Sequence, residues 1–326
     1  MNLNLKVGRR YWMLFGTFVV TNGFAEDYDF EIGLALDQTN YDGSQSITTP
    51  GGSIFSSTGI DTDLLSAFGS WYFAGLSDDT GPRARAAFVD RASSLRFGYS
   101  HSEQTASFFR SVEDPLSPIP PLDSVDDDNG NLYSADVRYV DRDSGWFGNA
   151  GFMTSTFTPF GQSGTTIDSN DATGWTLGIG KYIFETTALS FDVSEIDSDG
   201  GMDTSIVAVN FTHLGSVGKG WQYAIDLGYS YLARERGADQ DVWGASLALY
   251  PTRDFEFGVR VEDETSHGDT FVDLDTTSFQ GFASWYVTSR IQLSAHYSLD
   301  DVGYLPNVAI NAPTVSDADQ DTIGIS

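Results

Sequence analysis

Residues 285–297 read WYVTSRIQLSAHY. Two aromatics precede a short polar turn, and then Ile291, Leu293, Ala295 and Tyr297 alternate with Gln292, Ser294 and His296. Period-two alternation marks a strand with one apolar face, whereas a helix needs apolar residues three and four apart. The stretch is too short and too polar for a membrane helix. It also recurs. Aligned on Tyr182, Tyr250 and Tyr286, the segments YIFETTALSFDV, YPTRDFEFGVRV and YVTSRIQLSAHY each give a Tyr, a short turn, and apolar residues at every second position, Thr187 excepted. The intervals between copies are irregular, so the unit is a tight hairpin and not a solenoid repeat.

The same alternation runs through most of the chain. Tyr28, Phe30, Ile32, Leu34 and Leu36 oppose Asp29, Glu31, Gly33, Ala35 and Asp37, and Tyr223, Ile225, Leu227, Tyr229 and Tyr231 oppose Asp226, Gly228 and Ser230. Counting such segments gives about 14 strands, within a range of about 12–16. Their connections alternate between long Asp-, Ser-, Gly- and Pro-rich stretches (39–60, 105–131, 158–172, 300–320) and short turns such as DRDSG, FETT, PTRD and VTSR. The segment 74–93 breaks this rule, being long where a short turn is due. Long loops at one end and short periplasmic turns at the other is the build of an outer-membrane barrel.

Composition sets outer limits. The 326 residues are 40% hydrophobic and 14% aromatic, with 34 Gly, 10 Pro and no Cys. Thiolate metal sites, Cys nucleophiles and disulfide staples are thereby excluded. The start has a basic MNLNLKVGRR, an apolar YWMLFGTFVV and a small-residue end at TNGFA, the layout of a secretory signal peptide over 1–25. The remainder, 26–326, reads as one barrel domain. Lys and Arg number 17 against 46 Asp and Glu, a formal net charge of -29. The leader removes Lys6, Arg9 and Arg10 and no acid, so the mature chain is still more acidic. Nucleic acid is excluded as a partner by that balance.

Alternation alone does not say which face looks inward, since soluble sandwiches bury the apolar one. Size decides: a closed barrel of about 14 strands encloses a lumen too wide for one layer of side chains to fill. The polar faces carry Gly, Ser, Thr, acids and Arg, which suit a watered lumen. Aromatics also gather beside the short turns. Trp71, Phe73, Trp221, Tyr223, Trp285 and Tyr286 are expected to form an interfacial girdle. A strand of about ten residues, tilted near 45°, covers roughly 23 Å of apolar height.

The segment GPRARAAFVDRASSLRFGYS (81–100), with its Ala-Ala-Phe and Arg-Ala-Ser-Ser leading into a strand, resembles the outer-membrane porins of Gram-negative bacteria, most of all the general bacterial porin family. The likeness runs loosely from Tyr28 to the end. It implies an all-β, antiparallel up-and-down transmembrane barrel, acting as a channel for small hydrophilic solutes without a cofactor. Outer-membrane lipid and lipopolysaccharide are the implied surroundings, with the protein either a monomer or a homo-oligomer such as a trimer. Such chains end in a strand closing on an aromatic. This one stops at DTIGIS, and a few further residues are expected.

The pore-lining candidates are Glu31, Arg96, Asp136, Arg138, Asp192, Asp226, Glu256, Arg260 and His296. Acids outnumber bases among them, which predicts cation preference. His296 between Ser294 and Ser298 invites a hydrolase reading. Strand neighbours two apart share a face without forming a nucleophile–base bond, and no G-x-S-x-G elbow is present. The expectation is no catalytic site, with a barrel enzyme or a plugged, non-conducting barrel as the alternatives. The Asp-rich stretches 125–131, 197–203 and 316–321 lack an EF-hand pattern, and no metal site is assigned. Phe108, Phe109, Arg110, Glu113 and Asp114, in the Pro-bearing stretch 105–131, are candidates for a loop that either folds into the mouth or stays outside.

Overall fold

A computed structural model describes residues 27–325 apart from 50–51, 78–80, 114–118, 159–169, 200–202, 219, 236–237, 268–272, 289–290 and 306–317. The expected leader, 1–25, lies outside the described residues. The strands are β1 (Asp27–Thr49), β2 (Gly52–Ser77), β3 (Ser94–Glu113), β4 (Ile119–Val140), β5 (Trp146–Thr158), β6 (Asn170–Phe184), β7 (Thr187–Ser198), β8 (Thr204–Val217), β9 (Trp221–Arg234), β10 (Asp239–Thr252), β11 (Phe255–His267), β12 (Asp273–Thr288), β13 (Ile291–Leu305) and β14 (Ala318–Ile325). Each pairs antiparallel with its predecessor, and β14 pairs with β1 over Leu36–Asp42, giving an up-and-down barrel of 14 strands whose seam is paired from Leu36 and Ala295 upward. Closure is what a bilayer demands, since no water is there to satisfy an open edge.

The alternation read from the sequence becomes two surfaces. Phe30, Ile32, Leu34 and Leu36 are exposed on the outside of β1, as are Leu177 and Ile179 on β6, and Phe255, Phe257 and Val259 on β11. In water such a band would be an aggregation surface; against acyl chains it is the contact the fold requires. At the short-turn end Trp71 packs edge-on to Phe73 at 5.4 Å, and Trp146, Trp221 and Trp285 are exposed at the same end. A second aromatic level stands at the other end, where Tyr229 lies 4.4 Å from Trp243 and Tyr99 lies 5.1 Å from Tyr133. From Trp221 to Tyr229 the chain climbs roughly 19 Å at about 3.3 Å per residue and 45° tilt, the height of an apolar band.

The wall is uneven. β1 to β4 have 23, 26, 20 and 22 residues, while β7 has 12 and β12 has 16. The extra length corrects the loops expected at 39–60 and 105–131. The first is a hairpin paired down to Thr49 opposite Gly52, and the second continues β3 and β4 as far as Val112 opposite Ile119. Apolar residues in these extensions fall side by side, as at Ile54–Phe55 and Phe108–Phe109, and not at every second position, so no hydrophobic period announced them; backbone pairing carries the strands upward. The middle of the stretch 158–172 and residues 306–317 of the last expected loop lie outside the described residues.

The turns at the other end are short. At 141–145, Gly145 takes φ 73°, and the Asp141 carboxylate accepts the Ser144 hydroxyl at 2.6 Å and the Asp143 amide at 3.2 Å. The Ser144 bond, above all, holds the Asp141 carboxyl below the usual carboxylate range.

The long link between β2 and β3 does not hang outside. It forms a 3-10 turn (Arg83–Arg85) and one helical turn, α1 (Ala86–Val89), and enters the lumen. The buried hydrophobic core gathers around it. Ala86 and Ala92 pack with Tyr72 and Leu76; Phe88 packs against Val140, Phe147, Tyr182 and Ala188; Ala84 and Val89 pack against Leu214, Ala224, Ala248 and Tyr250. The barrel is therefore packed at its short-turn end and polar above.

Candidate functional site: a lumen crossed by an inserted segment

The inserted segment spans the barrel from its root at β2 and β3 to the β10–β11 turn, which stands nearly opposite in the ring. There the Arg83 amide donates to the Arg253 carbonyl at 3.0 Å, and the Arg83 guanidinium meets Asp254 at 2.5 Å. Arg85 donates through both terminal nitrogens to Asp226, at 2.5 and 3.3 Å, and through Nε to the Tyr250 hydroxyl at 3.0 Å. Such a two-pronged bond to a carboxylate fixes orientation as well as charge. Tyr182 donates its hydroxyl to the Phe88 carbonyl at 3.1 Å. Arg91 has a left-handed backbone, φ 48°, where a non-Gly residue costs about 1 kcal/mol. Its guanidinium lies 4.8 Å from the Tyr182 ring centre and donates to the Arg142 carbonyl at 3.4 Å.

The strand registers set the candidate residues in inclined belts. Glu31 pairs with Ser70, Ser70 with Arg96, and Arg96 with Asp136. Glu31 accepts the Tyr72 hydroxyl at 2.7 Å, and Arg96 donates to the Ser70 hydroxyl at 3.3 Å. Asp136 stands beside Gly151, whose missing side chain leaves room for the carboxylate. Arg138 lies over the Phe147 ring at 4.4 Å and donates to the Tyr182 hydroxyl at 3.2 Å. Asp192 accepts from Asn149 at 2.9 Å, Asn210 at 3.1 Å and Ser190 at 3.2 Å. Besides Arg85, Asp226 accepts from Thr212 at 2.9 Å and Ser246 at 3.0 Å. Glu256 accepts from Ser284 at 3.3 Å. Arg260, largely exposed to the lumen, pairs with Glu262 at 2.8 Å. His296 stands 3.5 Å from Asp37. Several donors surround Asp192 and Asp226, so these two carboxylates are held in place by the wall.

Two placements correct the sequence reading. Tyr286 was grouped with Trp285 in the girdle. Adjacent strand residues point to opposite faces, and Trp285 takes the lipid side while Tyr286 turns inward, beside Glu31, Tyr72, Glu256 and Arg83. Trp71, Phe73 and Trp221 are exposed outside, and Tyr223 shares that face, where its ring lies 5.8 Å from His213. The narrowing loop is also elsewhere. Phe108 pairs with Thr58 and Ser124, Phe109 with Ser57 and Asp123, and Arg110 with Ser56 and Leu122, so these residues belong to the wall. Glu113 pairs with Ser53. Asp114 lies outside the described residues. The lumen is narrowed from the other end, by 81–93.

In the sequence the length of 74–93 and the recurrence of Tyr182, Tyr250 and Tyr286 before turns are separate signals, and strand parity links them: Tyr182 continues the inward series Thr176, Gly178, Gly180, and Tyr250 continues Ser246 and Ala248. The recurring Tyr is the clamp on the inserted segment.

Among the described residues no three His, Asp or Glu side chains converge as metal ligands. The described histidines bond elsewhere: His101 with Asn131 at 3.0 Å, His213 with Thr187 at 2.8 Å, and His267 with Asp241 at 3.0 Å. Near His296, Ser294 accepts the Gln292 amide at 3.1 Å.

No known protein family matches the sequence, and no curated protein does. Solved structures similar to this one include the outer-membrane protein Omp33 of Acinetobacter baumannii, 14% identical, covering 92% of this chain and 97% of that one, with a TM-score of 0.47. OprB of Pseudomonas putida is 8% identical, over 91% of each chain, with a TM-score of 0.41. The KdgM porin, solved with disordered oligogalacturonate, is 8% identical over 60% of this chain and 91% of that one, with a TM-score of 0.35. At these scores the likeness says nothing of activity.

Proposed function

We propose that this chain is a passive outer-membrane channel of a Gram-negative bacterium, exported behind a cleaved leader, through which small hydrophilic solutes and ions diffuse. One observation carries the reading: a barrel with an apolar outside and a polar, mixed-charge lumen, narrowed by the inserted segment 81–93. A purely structural barrel has no need of belts such as Glu31, Ser70, Arg96 and Asp136 along its interior. Opposed signs across a lumen set up a transverse field that acts on passing solutes. The excess of lumenal acids supports cation preference, and the bonding of His296 and Ser294 supports no hydrolase.

The second reading, a plugged barrel, has an observation of its own. Phe88 packs against Tyr182, and Val89 against Tyr250, at the short-turn end. Planar-bilayer recording separates the two. Steady single-channel steps with a cation-side reversal potential under a salt gradient support the channel. A silent bilayer with folded protein assigns the plug, and anion selectivity overturns the charge argument.

A further inference from the structure

The belt that starts at Glu31, Ser70, Arg96 and Asp136 runs on around the wall. Asp136 pairs with Gly151, Gly151 with Thr176, Thr176 with Ser194, and Ser194 with Ile206. One step nearer the long-loop end, Ser134 pairs with Met153, Met153 with Gly174, and Gly174 with Ile196. Between these two rows the lumenal wall sinks into a hollow of about 250 Å³. Glycines make its floor. A Cβ at Gly174 would stand 3.2 Å from both the Met153 Cε and the Ile196 Cγ1, so those two side chains close over a place that holds no side chain of its own.

The lining is of two kinds. Met153, Ile196 and Ile206 are partly exposed aliphatic side chains in a polar lumen. An apolar patch rimmed by polar groups marks a binding surface. At the other end stands the exposed Asp136 carboxylate, its Oδ1 over Gly151. The bases near it are engaged elsewhere. Arg96, directly opposite in register, donates to Ser70 and lies 5.6 Å from the Phe68 ring centre, and Arg138 donates to Tyr182. Among the described residues no side chain donates to Asp136, whereas Asp192 and Asp226 each have several donors. Between the two ends the Thr176 and Ser194 hydroxyls bond to each other at 2.7 Å.

We propose that this hollow binds a substituted ammonium ion with a short aliphatic chain. The ammonium sits on Asp136, and the chain lies across Gly174 against Met153, Ile196 and Ile206. From β5 to β7 is about 10 Å at the usual spacing of strands, the reach of such an ion. The carboxylate selects the charge and the aliphatic wall selects the chain, so a bare inorganic cation gains only half of the site. This deepens the channel reading and rests on it for the water-filled lumen that gives access, but not for conduction past the inserted segment.

The chain has no Cys, so a single cysteine reports cleanly. Thr176→Cys places it in the hollow, and Ser278→Cys on β12 serves as the control across the lumen. Heat-modifiable gel migration selects the folded variants, which are then treated in neutral lipid nanodiscs with an uncharged, polar thiosulfonate. One carboxylate and one short chain make a weak site, with a Kd on the order of 1 mM. Hexylammonium at about 10 mM should therefore slow modification at 176 about tenfold, with no change at 278. Ammonium chloride and hexanol, each carrying half of the ligand, should protect far less, and Asp136→Asn should abolish the protection. Equal slowing at both positions, equal protection by hexanol, or protection that survives Asp136→Asn overturns the site. No modification at 176 in the folded barrel shows a hollow closed to water and overturns it too. Conductance of the parent protein, recorded separately, judges the channel reading: a silent barrel still protected at 176 refutes conduction and leaves the site standing.

Discussion

Asp37 on β1 and His296 on β13 lie 3.5 Å apart although a strand separates them, because both pair with Gly324 of β14. A residue without a side chain lets the carboxylate and the imidazole meet over the seam where the barrel closes. Gly324→Val would put a branched side chain between them. We expect a loss of about 1–3 kcal/mol from overpacking, seen as a lower urea midpoint for the folded, heat-modifiable band. An unchanged midpoint would show that the contact does not support the seam.

The narrowing element is 81–93 and not 105–131, and deletions tell them apart. Removal of 82–90 should raise single-channel conductance several-fold, since it takes out α1 and the side chains packed around it. Removal of 112–128 shortens a hairpin above the membrane and should leave conductance as it was. The opposite pattern would return the constriction to the outer mouth.

The clamp on the segment is open to single substitutions. Arg85→Ala strips the bidentate bond to Asp226 and the bond to Tyr250. Because the pair is partly reached by water, the cost should be about 1–3 kcal/mol, below that of a fully buried pair. Tyr182→Phe removes one hydroxyl that donates to Phe88 and accepts from Arg138, at a cost of about 1 kcal/mol. Both should make the open-channel current noisier, and a quiet trace identical to the parent would count against the clamp.

Neighbouring Trp285 and Tyr286 should fail in different ways. Trp285→Ala removes an indole from the bilayer interface and should lower folding efficiency into lipid vesicles without altering conductance. Tyr286→Ala opens space beside Arg83 and Glu31 inside the barrel and should change conductance. Equal effects on both measurements would place the two rings on one face.

How much of this was legible in the sequence follows from what alternation can carry. Wherever one face is apolar and the other polar, as from Tyr28 to Asp37, the strand announces itself. Above the membrane the alternation stops: Thr105 to Arg110 and Leu122 to Asp127 pair in register, with a shift beyond Arg110, yet their letters read as loop. The inserted segment was legible only as an anomaly of length. Its partners Asp226, Tyr250 and Asp254 lie far along the chain, and no local rule links Arg83 to Asp254. Tyr286 was misplaced because its neighbour Trp285 outweighed its parity. A pair of adjacent aromatics on a strand belongs to two surfaces.

The bond between Arg83 and Asp254 joins residues 171 positions apart. The segment leaves the wall after the second strand, but its far anchor belongs to the turn between the tenth and eleventh. Until that turn forms, Arg83 has no acid to meet, and Tyr250 is not in place to accept from Arg85. Contacts of such long separation are slow to form. An unfinished barrel would thus be wide open at this end, and the narrow state would arrive only with completion. The segment times the leak: permeability during assembly should fall in one late step, when the last of its distant partners comes within reach.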